Sequence, residues 1–132
     1  MKLASLVLVL CATSCERGPS CAAGPAATTQ IAAFTTALET FKVDSGRFPS
    51  TAEGLAVLTA RPADLTEKQW RGPYLDAAIP KDPWGHDYVY RYPGIHNTNG
   101  FDIYSCGLDG VSKSGGEDAD DIANWPKQRG VQ

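Results

Sequence analysis

The sequence predicts an α+β fold: one amphipathic helix, a short second helix and a small antiparallel sheet. Three observations predict it. Ile31, Phe34, Leu38 and Phe41 recur at helical spacing. Further on, Asp87–Tyr92 and Phe101–Ser105 have strand-like composition and alternation. Gly- and Pro-rich turns separate these stretches, and no internal repeat or heptad appears. At 132 residues a single domain is expected. With 42% hydrophobic and 20% charged residues, the composition is that of a soluble globule. A net charge of −3 and the lack of a basic stripe argue against nucleic acid as a partner.

In chain order, Met1-Lys2 is a short basic start, Leu3–Leu10 is apolar, and Ala12-Thr13-Ser14 leads into Cys15. Residues 1–14 read as a bacterial export signal. The apolar run is shorter than the roughly 20 residues that a permanent span needs. The small-small-Cys ending resembles a lipobox, in which Cys15 becomes the lipidated first residue, although Ala12 stands where Leu is usual. The competing reading is cleavage without lipidation near Ala23. Residues 15–27 read as a flexible tether, being rich in Gly, Pro, Ser and Ala. Residues 28–132 read as the globular domain. In an oxidising compartment, Cys21 and Cys106 either form one disulfide or stay as separate thiols. No Cys/His spacing suited to zinc is present.

The first helix is expected from Thr28 or Thr29, either of which could cap it. Its stripe, with Ala37 beside it, predicts a core-facing side. The helix is expected to end at Asp44-Ser45-Gly46, with Gly46 as its left-handed cap. Pro49 makes Arg47-Phe48 extended. Ser50 followed by Glu53 matches a capping box, which predicts a short second helix from Thr51 to Ala60 that buries Leu55 and Leu58. One helical turn is expected at Thr66–Trp70. Pro80 and Pro83 stiffen the next segment, so that Tyr74, Leu75, Ile79 and Trp84 can cover a core without regular structure. Tyr88, Tyr90 and Tyr92 share one face of the first strand. In the second, Phe101 and Ile103 are expected inward, Asp102 and Tyr104 outward. The two strands make an antiparallel hairpin.

Ser105–Trp125 is the stretch that points to chemistry. It holds Asp109, Glu117, Asp118, Asp120 and Asp121 against one cation, Lys113, together with four glycines. A solvated tail has this composition. So does a loop that wraps a hard cation in carboxylate and carbonyl oxygens, for which calcium suits better than zinc, iron or copper. An EF-hand does not fit. Its positions 1, 3 and 5 would be Asp109, Val111 and Lys113. The loop follows directly on a strand and ends in Ile122 and Trp125, which favour burial, so an ordered loop is expected.

The strings Ala37–Leu55, Arg71–Leu75, Pro80–Gly85, Tyr88–Gly94, Phe101–Ser105, Gly107–Gly110 and Gly115–Asp120, continuing to Asn124-Trp125, come in the order of one known family. Over roughly residues 28 to 125 the chain resembles the C-terminal globular domain of the major pseudopilin, the G subunit, of bacterial type II secretion systems. The resemblance implies a long helix packed on a small antiparallel sheet, with a calcium ion ordering the loop after the hairpin. By position it implies Asp109 as a ligand, with the carbonyls of Cys106 and Val111. Asp118 and Asp120 fall in the family's acidic string, where an extra residue leaves Asp120 or Asp121 open. Family members begin with a prepilin leader and an apolar helix. No such string is read here, so the globular domain is expected without that leader and transmembrane helix.

The resemblance implies a non-enzymatic, exported structural or interaction protein of type II secretion. It would act on the periplasmic side of a bacterial membrane, with structural calcium and with other pseudopilins or apparatus components as partners; the lipobox-like residues add an expected lipid anchor at Cys15. The alternative is a stand-alone extracytoplasmic lipoprotein that binds a glycan or a protein through exposed aromatics. Catalysis is not expected, because no nucleophile elbow, HExxH or paired nucleophile and base is recognisable. His86 reads as a turn cap and His96 as a solvated loop residue.

Overall fold

The computed structural model describes residues 22–127. Helix α1 spans Ala23–Ser45, and a 3-10 helix spans Gly54–Leu58. The strands are β1 (Val89–Arg91), β2 (Asp102–Ser105) and β3 (Ile122–Ala123). They form one antiparallel sheet in the order β1-β2-β3, with Tyr90 opposite Ile103 and Ser105 opposite Ile122.

Helix α1 starts earlier than the caps at Thr28 or Thr29 predict. Residues 23–27, expected in the tether, are its first turns. The physical reason lies with Pro25. A proline in the first turn lacks only an N–H that would have had no intrahelical partner. The hydroxyls of Thr28 and Thr29 donate back to the carbonyls of Gly24 and Pro25, 3.0 Å each. Both threonines therefore lie inside the helix and do not cap it. The other end is as expected: Gly46 has φ 82° and its N–H closes on the Lys42 carbonyl at 2.8 Å.

The predicted stripe is the core face. Ile31, Phe34, Ala37, Leu38 and Phe41 are buried against Phe48, Leu55, Leu58, Tyr88, Tyr90, Phe101 and Ile103. Burying each large apolar side chain contributes about 1.5–3 kcal/mol. Aromatic edges add direction: Phe34 meets Tyr88 at 5.0 Å and Phe48 meets Phe101 at 5.1 Å, both near perpendicular.

The second helix is shorter than expected and is 3-10 rather than α. Its capping box forms: Glu53 N–H donates to the Ser50 hydroxyl at 3.2 Å, and Ser50 N–H donates to the Glu53 carboxylate at 2.7 Å. Gly54 then takes φ +60°, which breaks the α-helical path just after the turn closes. One helical turn is present at Thr66–Trp70, where Trp70 N–H reaches the Thr66 carbonyl at 2.9 Å. The irregular segment is tied down by Trp70 Nε1 on the Val57 carbonyl and by Tyr74 hydroxyl on Asp44, 2.7 and 2.9 Å. Tyr74, Leu75 and Ile79 pack on the core as expected, while Trp84 is half-buried.

The first strand is shorter than Asp87–Tyr92. Its last part turns away as Tyr92 N–H donates to the Thr51 hydroxyl at 3.0 Å. Asp102 corrects the alternation argument, for it is 3% exposed. Its carboxylate accepts the backbone N–H groups of Ile95, His96 and Asn97 at 2.7, 2.9 and 2.9 Å. Burial pushes its pKa up, but these donors outweigh that effect and hold it below the usual range. The loop between β1 and β2 therefore folds back over the outer face of β2. Strand β3 was not expected; two residues are too few to show alternation.

Candidate functional site

The acidic loop leaves β2 at Ser105 and returns to the sheet at β3. It is ordered by its own polar side chains. Val111 N–H donates to Asp109 Oδ1 at 2.9 Å, closing a turn. Asp109 N–H points at Asp120 Oδ2, 3.5 Å away. Ser112 hydroxyl donates to Asp121 Oδ2 at 2.6 Å and accepts from Gly116 N–H at 2.7 Å. Asp121 Oδ2 also accepts from Asp118 N–H at 3.1 Å.

The predicted ligands separate into two groups. Asp109, Asp120 and Val111 meet at one turn, next to buried Cys106. Burial raises the Cys106 thiol pKa, and the neighbouring carboxylates of Asp121, Asp82 and Asp109 raise it further. Asp118 faces elsewhere. Its two oxygens accept Ser114 hydroxyl at 2.5 Å and Lys113 N–H at 2.7 Å. These bonds hold its pKa below the usual range.

Asp121 decides whether a cation fits. The residue is 2% exposed, and its Oδ1 has no hydrogen-bond partner. A buried carboxylate oxygen without a partner is costly. Its neighbours include the Ser112 hydroxyl and the Cys106 thiol; the hard carboxylate, hydroxyl and carbonyl oxygens of the loop suit calcium better than a soft metal. Among the described residues no three His, Cys, Asp or Glu side chains are grouped so that they could hold a metal ion by themselves. A cation here would therefore need main-chain carbonyls in its shell.

The rim of the loop is clamped. His96 stacks face to face on Trp125, with centroids 4.1 Å apart and planes at 9°. Glu117 accepts Trp125 Nε1 at 2.5 Å and lies 3.4 Å from His96 Nδ1. His96 is thus part of the clamp rather than a solvated loop residue.

Sequence reasoning missed a buried cluster beneath the loop. Asp82 Oδ1 accepts the backbone N–H of Trp84 at 3.1 Å and of His86 at 2.8 Å. Asp82 Oδ2 accepts Ser105 hydroxyl at 2.5 Å, and Ser105 accepts Gly107 N–H at 3.1 Å. His86 Nδ1 donates to the Gly107 carbonyl at 3.2 Å. The expected role of His86 as a turn cap falls instead to Asp82. The local signal was the Asp-Pro-Trp-Gly turn string, in which an Asp commonly takes following N–H groups.

Cys15 and Cys21 lie outside the described residues, as does the expected export signal. Among the described residues no helix is long and apolar enough to cross a membrane.

A family model described as type II secretion system (T2SS), protein G, matches residues 18–125. Relatives named type II secretion system core protein G are similar to the chain. The one from Vibrio cholerae is 40% identical over 100 residues, covering 75% of this chain and 66% of that protein. The Pseudomonas aeruginosa protein is 41% identical over 97 residues, covering 72% and 66%. The Klebsiella michiganensis protein is 40% identical over 97 residues, covering 72% and 63%. The chain thus spans slightly less than two thirds of the relatives it matches. Its fold is similar to the crystal structure of the major pseudopilin from the type 2 secretion system of enterohaemorrhagic Escherichia coli. The TM-score is 0.63 at 33% identity, covering 79% of this chain and 87% of that one.

Proposed function

The chain belongs to the type II secretion system protein G family, and from that membership we propose that it serves protein secretion as a structural pseudopilin-like domain on the periplasmic side of a bacterial membrane. Its work is contact with other secretion components, not catalysis. The face that makes those contacts has to be rigid, and the middle of the acidic loop is held by polar side chains rather than by buried apolar ones.

We propose calcium as the ligand that orders it. The observation that carries this is the unpartnered, buried Asp121 Oδ1. Asp121 and Asp109, with Asp120 beside them, would hold the ion together with the Cys106 and Val111 carbonyls. Asp118, engaged with Ser114 and Lys113, would shape the turn. Bound calcium would supply positive charge among carboxylates that repel one another. Because only the folded loop gathers these oxygens, binding stabilises the native state by mass action, about 2.7 kcal/mol at a hundredfold excess over Kd.

The test is thermal unfolding of the full chain in calcium and in EGTA. Calcium should raise Tm by several degrees. Asp121→Asn and Asp109→Ala should each abolish most of that rise. Identical melting curves in calcium and EGTA would sink the calcium reading. The secretion role is tested separately, by co-purification with pseudopilins from cells that express the apparatus.

A further inference from the structure

We propose that Asp82, Ser105 and His86 are positioning residues for the cation loop, acting through the Cys106–Gly107 peptide. The inference rests on the calcium reading above and concerns residues that touch no proposed ligand oxygen. The Asp82 side chain is 0% exposed, and its carboxylate is held by two backbone N–H groups and one hydroxyl. Among the described residues the only cationisable group within ion-pair distance is His86, with Nδ1 3.8 Å from Oδ1. Burying a carboxylate with so little opposing charge is expensive if its task is only to close a turn.

Its second oxygen does something more. It fixes the Ser105 hydroxyl, whose oxygen then receives Gly107 N–H. His86 takes the other backbone group of Gly107, its carbonyl. Both polar groups of one glycine are thereby held from beneath the loop. The peptide between Cys106 and Gly107 is planar and trans, so its C=O points opposite to its N–H. Once Gly107 N–H is aimed at Ser105, the Cys106 carbonyl is aimed away from it. That carbonyl is one of the proposed ligands.

Packing leaves the peptide little freedom to tilt. Gly107 has φ +65°, and a Cβ there would sit 2.3 Å from the Asp120 carbonyl oxygen. A Cβ on Gly110 would sit 2.6 Å from His86 Nε2, so the imidazole also supports the next turn of the loop. One side of the Cys106–Gly107 segment thus faces Asp120, and the other rests on Ser105 and His86. Partners that orient metal ligands in this way typically govern ~10- to 100-fold in affinity.

The experiment is calorimetric titration of calcium chloride into the EGTA-stripped full chain. It is run at a temperature where circular dichroism shows every variant folded. Ser105→Ala and Asp82→Asn should each weaken calcium binding ~10-fold or more. His86→Ala should do the same, and His86→Asn should recover much of the loss, because an amide N–H can replace Nδ1–H toward Gly107. Glu53→Gln, remote from the loop, should lower stability without changing Kd, which separates positioning from general destabilisation. If Asp82→Asn does not fold, the half-exposed His86 pair still decides the matter. Unchanged Kd in Ser105→Ala and His86→Ala, with the unsubstituted chain binding calcium, overturns this inference alone. No binding by the unsubstituted chain overturns it together with the calcium reading.

Discussion

At the scale of single residues, buried carboxylates account for most of what is unusual here. Asp82, Asp102 and Asp121 are each under 5% exposed. Asp102 is satisfied by neighbouring N–H groups, Asp82 by N–H groups and a hydroxyl, and Asp121 only in part. Glu53 is a more exposed contrast. The guanidinium of Arg47 beside it, at 2.8 Å, holds its pKa at about 2 against an ordinary 4.5. A depressed carboxylate pKa stabilises the fold above the unfolded value and loses that contribution as pH falls through the folded one. The Arg47–Glu53 pair should therefore contribute fully above pH 4.5 and fade between 4.5 and about 2. Because both side chains are partly exposed, about 1 kcal/mol is expected after screening. Urea melts of the wild type and Glu53→Gln should differ at pH 6 and converge near pH ~2; a constant difference would contradict the pairing.

At the scale of elements, the sheet is small and the helix carries the core. The strands have three, four and two residues, whereas α1 has 23. Stability should therefore be most sensitive on the helix stripe. Leu38 is 0% exposed at its centre. Leu38→Ala should cost about 2–5 kcal/mol, measured by denaturant unfolding. Val43, on the same helix, is 83% exposed. Val43→Ala should stay within about 0.5 kcal/mol. Equal losses at the two positions would mean that the helix does not pack on the sheet through this face.

At the scale of the whole molecule, the acidic loop is held differently at its ends and in its middle. Its ends are fixed by β2, β3 and the His96–Trp125 stack. Its middle, including the exposed Leu108 and Val111, is held mainly by polar side chains. Segments with few buried apolar contacts open first. Limited proteolysis in EGTA should therefore cut between Leu108 and Gly115 before any other site within residues 22–127, and calcium should suppress that cut. Equal cutting rates with and without calcium would show that the ion, if bound, does not order the loop.

The sequence by itself determined the local order of the chain. The helical stripe, the Gly46 cap, the Ser50–Glu53 box and the tyrosine strand all rest on neighbours a few residues apart, and spacing reports such neighbours directly. Composition singled out the acidic loop, and the family strings implied a long helix packed on a small antiparallel sheet. Only the tertiary structure decided that Asp102 turns inward, that Glu117, Trp125 and His96 form one clamp, and that Asp82 reaches Ser105 across 23 positions. It also decided that Asp118 faces Ser114 while Asp121 keeps a buried oxygen free. The reason is physical. Whether a carboxylate is solvated, capped or left unpartnered depends on which donors the fold brings to it, and donors far along the chain leave no periodic trace in the sequence.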